Sequence, residues 1–72
     1  MENKQDEFVG LPDWVRYIAT DKHGEKCGYA NKPTISKVLS FWIDHSRGDA
    51  IDIGIDHESA KNWENSLIER KK

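Results

Sequence analysis

Cys27 and the three histidines His23, His45 and His57 are the residues whose types could hold a metal or drive nucleophilic chemistry. A metal site legible in sequence needs ligands at short, regular spacing, such as Cys-x-x-Cys or His-x-x-x-His. None of these residues stands at such a spacing from another, so neither a metal nor a cofactor is expected. Cys27 carries no local nucleophile signature and reads as a small buried hydrophobe. His23 and His45 fall in polar turns, where histidine is ordinary. A chain of 72 residues is also expected to be too small for a pocket of the usual enzyme size, about 300 Å3 or more, unless it oligomerises. The expectation is therefore a protein without catalytic residues.

The charges point the same way. Asp44, Asp49, Asp52, Asp56 and Glu58 form an acidic zone relieved only by Arg47. Such a zone is a solvated face or a steering surface for a basic partner. Arg47-Gly48-Asp49 matches an integrin-binding tripeptide, but a hairpin turn explains it, with Gly48 serving backbone geometry. Arg70-Lys71-Lys72 reads as a cation cluster at a helix C-terminus. The net charge is −2, so no basic excess is available to neutralise a phosphate backbone. Nucleic acid is disfavoured as a partner on that ground. One cysteine, an acidic start and no apolar run of membrane-spanning length give the expectation of a cytoplasmic protein with no membrane partner.

These residues must be positioned by a small domain. Residues 1–10 read as a flexible N-terminal arm pinned by Phe8 and Val9, and 11–72 as a single domain. Residues 14–20 alternate and are rich in β-branched and aromatic types, which predicts a strand. Asp21-Lys22-His23-Gly24 predicts a type I turn with Gly in the left-handed region. A second strand follows over 25–30, ended by Asn31-Lys32-Pro33. A third is expected over 38–44 and a fourth over 50–55, where Ile51, Ile53 and Ile55 share a face. The period then changes: Asp56 is a candidate N-cap, and Ala60, Trp63 and Leu67 recur at helical spacing as a narrow apolar stripe. The fold class expected is α+β, a four-stranded antiparallel β-meander with a C-terminal α-helix packed on one face.

Strict alternation assigns Val15, Tyr17, Leu39, Phe41, Ile51 and Ile53 to the core face. Trp14, Arg16, Ile18 and Trp42 then lie together on the opposite face. Trp and Arg dominate interface hot spots, so these four are the candidate partner contacts, with Asp49 and Asp52 as a charged rim. The competing reading is a second small core, covered by the N-terminal arm or by a dimer mate. A single-stranded nucleic-acid binder is the alternative function, with Trp14 and Trp42 stacking bases beside Arg16 and Lys26.

Asp13-Trp14, Tyr17-Ile18-Ala19, Asp21, Gly24, Asn31-Lys32-Pro33, Trp42 and the closing Trp63-Glu64-Asn65-Ser66-Leu67 carry a resemblance. Over most of residues 13–68 the chain resembles small accessory proteins of tailed bacteriophages and prophages. It departs from them in having Cys27-Gly28 where further aromatics are expected. The resemblance implies a non-catalytic protein that binds and inhibits or modulates a host protein in the host cytoplasm, as anti-CRISPR and other anti-defence inhibitors do.

Overall fold

The computed structural model describes residues 4–71. The first three residues of the expected arm and Lys72 of the C-terminal cluster lie outside them. Strands β1 (Tyr17–Thr20) and β2 (Glu25–Tyr29) form the expected hairpin, paired from Tyr17↔Tyr29 to Thr20↔Lys26. The turn is built by Asp21, whose Oδ1 accepts the His23 and Glu25 N–H groups at 2.8 and 3.1 Å. Gly24 takes φ +94°, the left-handed value that its lack of a Cβ permits.

The remaining strands depart from a meander. β3 (Thr34–Ser36) and β4 (Phe41–Ile43) pair only with each other, in a separate two-stranded sheet. β5 (Ala50–Ile55) has the expected bounds, but pairs with β2 rather than with the strand before it. A short strand at the C-terminus, β6 (Ile68–Glu69), completes a sheet of order β5-β2-β1-β6, antiparallel throughout. The pairing of β2 with β5 shifts register between Lys26 and Cys27, and Gly54 takes φ +148° there. This bulge spends one residue of β5 and inverts the alternation beyond it. Ile51 and Ile53 pack on the core, while Ile55 is 63% exposed.

The expected C-terminal helix is a single turn, α1 (His57–Ala60). Asp56 does cap it, accepting the Ser59 N–H at 3.1 Å. The chain then passes through a 3-10 turn over Trp63–Asn65 and enters β6. Ser66 is the physical reason. Its hydroxyl accepts the Thr20 N–H at 2.9 Å and lies within hydrogen-bond distance of the carbonyls of Thr20 and Trp63, at 2.9 and 2.7 Å. A serine that bonds to backbone in this way competes with helix continuation and ties the segment to β1.

The core lies on one face of the four-stranded sheet: Phe8, Val15 and Ile18, with Leu11, Ile51, Ile53 and Ile68 packed against them. Val15 and Ile18 belong to the same cluster because residues 12–15 form a turn, closed by Val15 N–H to Pro12 carbonyl at 3.1 Å. Strict alternation from Trp14 therefore fails. No separate second core forms on the Ile18 face: Ile18 joins the same cluster as Val15, Ile51 and Ile53, and the arm packs onto that cluster through the 3-10 helix Lys4–Phe8, whose Phe8 is 2% exposed. Val9 does not help pin it, being 79% exposed.

Arg70 locks this layer. Its guanidinium lies over the Phe8 ring, 5.1 Å from the centroid. It donates to the carbonyls of Phe8, Pro12, Asp13 and Val15 at 3.1, 3.0, 3.3 and 3.0 Å. The expected helix-end cation is instead an internal clamp between the two ends of the chain.

Candidate functional site

The β3–β4 hairpin gathers three of the large apolar side chains left in solvent, Val38, Leu39 and Phe41, whereas Val9, Trp14 and Ile55 are exposed elsewhere. Its register pairs Thr34 with Ile43, Ile35 with Trp42 and Ser36 with Phe41. The four residues Lys37-Val38-Leu39-Ser40 close it. The Ser40 N–H donates to the Ser36 carbonyl at 2.8 Å, and the Leu39 N–H to Ser36 Oγ at 3.3 Å. Ser40 accepts φ 61°, an uncommon value for a residue with a Cβ. The tip is thus a defined turn that holds Val38 and Leu39 outward, at 94% and 53% exposure, with Phe41 below them at 37%.

What holds the hairpin in place is Trp42. Its indole Nε1–H donates to the carbonyls of Thr20 and Trp63, at 3.0 and 3.2 Å. The Lys22 N–H adds a bond to the Ser40 carbonyl at 3.3 Å. The two faces of β4 are therefore the reverse of those expected. Trp42 turns inward to β1, and Leu39 and Phe41, expected in the core, face solvent.

The other candidate contacts do not assemble into one patch. Ile18 is 1% exposed and belongs to the core, so it offers no surface. Arg16 is part-buried and its Nη2 donates to the Arg70 carbonyl at 3.3 Å. Trp14 is 37% exposed, but it lies in the turn preceding β1, whereas Trp42 is bonded to Thr20 at the far end of that strand. The two indoles therefore do not form a common stacking platform. Asp52 is exposed and pairs across the sheet with Cys27. Burial and then the Asp52 charge raise the Cys27 pKa, which disfavours the thiolate. Asp49 is exposed, and its carbonyl accepts the Ala30 N–H at 3.0 Å. In the Arg47-Gly48-Asp49 turn it is Arg47 that takes the positive φ, 58°. Gly48 instead lies close under Asn31: a Cβ there would stand 2.2 Å from Asn31 Nδ2, the movable end of an exposed side chain.

A groove of about 720 Å3 lies between the N-terminal 3-10 helix, α1 and Ser66, larger than expected for so short a chain. At its base Lys26 Nζ is ion-paired with Glu7 and, at 2.7 Å, with Asp56. Burial acts to lower the Lys26 pKa, but the hydrogen bonds its ammonium donates to Asp56 and Glu7 prevail and raise it. The Lys26 bond, with the Ser59 N–H and hydroxyl, holds Asp56 far below the usual carboxylate range. So weak a base does not activate the Ser59 hydroxyl, which donates to it at 2.8 Å. Among the described residues, no three His, Cys, Asp or Glu side chains gather into a group that could hold a metal ion.

The sequence carried a signal for the tip that alternation hides. Thr34-Ile35-Ser36 and Phe41-Trp42-Ile43 are equal β-rich triplets around a four-residue turn, a hairpin pattern inside what reads as one strand. Comparison with known protein families, characterised proteins and solved structures finds no match, so no family is assigned to this chain.

Proposed function

We propose that this protein acts by stoichiometric binding to another protein and performs no chemistry, with the β3–β4 tip as its principal contact. The observation that carries the reading is the exposure of Val38, Leu39 and Phe41 on a turn fixed from beneath by Trp42 and Ser40. Clustered apolar side chains in solvent mark interaction sites. A turn that is already ordered loses little further freedom on binding, which favours affinity. In the groove, the Asp56 carboxylate beside the Ser59 hydroxyl is committed to Lys26 and is too weak a base to activate it. On the resemblance to phage and prophage accessory proteins, the partner is a host protein of the bacterial cytoplasm, and binding inhibits or modulates it. No helix among the described residues is long and apolar enough to cross a membrane.

The test is quantitative affinity capture from bacterial lysate with the wild-type chain and with Val38→Asp/Leu39→Asp. The reading expects a protein captured in stoichiometric amount by the wild type and lost from the double variant, with both baits equally stable. Equal capture by both baits would remove the tip as the contact.

A further inference from the structure

We infer that the partner surface receiving the tip is an apolar pocket rimmed by carboxylates. This rests on the protein-binding reading above and specifies the chemistry of that same contact. Lys37 opens the tip turn, and Lys22 is held beside that turn by the hydrogen bond from its own backbone N–H to the Ser40 carbonyl, at 3.3 Å. Both lysines are exposed, and neither takes part in an ion pair among the described residues. Asp21, the carboxylate next to Lys22 in the chain, makes no ion pair with either lysine. It is buried, and its Oδ1 is committed to the His23 and Glu25 N–H groups. An apolar tip is therefore flanked by two exposed lysines on a chain whose net charge is −2.

Docking Val38 and Leu39 strips water from the neighbouring lysines. A neutral or basic partner rim would leave that loss uncompensated, and like charges brought together are strongly disfavoured. Carboxylates opposite Lys22 and Lys37 recover the loss and raise the association rate. An anionic bilayer offers the same sign of charge, but lipid-directed segments carry clusters of roughly four to eight basic residues. The acidic balance of this chain opposes such a surface.

The experiment uses the full chain as bait for a displayed library of random constrained peptides, with Val38→Asp/Leu39→Asp as counter-selection. Tip-dependent peptides should combine apolar or aromatic anchors with Asp or Glu. Their affinity should fall at least about tenfold in Lys22→Glu/Lys37→Glu, with a flatter salt dependence. The unchanged melting temperature of that variant serves as the fold control. Tip-dependent peptides without acidic enrichment, or indifferent to the lysine reversal, would overturn the carboxylate rim and leave the binding reading standing. A library yielding no tip-dependent peptide would overturn both. Tip-dependent sedimentation with phosphatidylserine-containing vesicles, exceeding that with phosphatidylcholine alone, would replace the protein partner with a membrane.

Discussion

Arg70 illustrates how far a single residue can differ from its reading in sequence. At the end of a basic run it suggests a solvated cation, yet its fork reaches four carbonyls, of which those of Phe8 and Pro12 also accept turn N–H groups. Hydrogen bonds to a charged group contribute about 1.5–3 kcal/mol. Arg70→Ala should cost at least that much, lowering the melting temperature by roughly 10 °C for a domain of this size. Arg70→Lys should not restore it, because an ammonium lacks the planar fork. Thermal unfolding of the two variants checks both statements. Asp56 gives a second prediction. Its pKa is depressed in the fold, so its contribution is present above the unfolded value of about 4 and is lost as pH falls through the folded value. Lys26 has the opposite sign: its pKa is raised, so its contribution holds below about 10.4 and is lost in alkali above it. Urea midpoints should fall in the wild type as pH is lowered from about 6 to about 2 and change less in Asp56→Asn.

At the scale of elements, the legible parts are those decided locally. The β1–β2 hairpin follows from Asp21 and Gly24, and β5 from its own alternation. The C-terminal segment was not legible, because Ala60, Trp63 and Leu67 keep helical spacing whether or not a helix links them. What decides it is Ser66 bonding to Thr20, far away in sequence. The candidate site was missed for a related reason. Alternation in β4 separates two faces but does not say which is inward; the partner strand and the acceptors for the Trp42 indole settle that. Two variants follow from this placement. Trp42→Ala should destabilise the fold by at least about 2 kcal/mol, below the 3–5 typical of a fully buried ring, because this one is half-buried. Gly28→Ala tests the close packing of β2. A Cβ there would stand 2.6 Å from Val15 Cγ1 and 3.2 Å from Ile51 Cγ2. Val15 is fully buried and cannot yield, so the cost should be about 1–3 kcal/mol in chemical denaturation.

The whole molecule is a sheet whose two ends of chain are fastened over one face, leaving a hairpin on anchors at the other end of β1. The N-terminal arm supplies Phe8, the C-terminal strand supplies Ile68 and Arg70, and each depends on the other. That closure frees the β3–β4 tip from any duty in the core, so its apolar side chains are available to a partner. Titration calorimetry of the captured partner against the wild type and Leu39→Asp tests this most directly. The account predicts saturable binding that weakens by at least about 2 kcal/mol in the variant, roughly thirtyfold in affinity, while its melting temperature is unchanged. Unaltered affinity in Leu39→Asp, or loss of the fold with loss of binding, would contradict it.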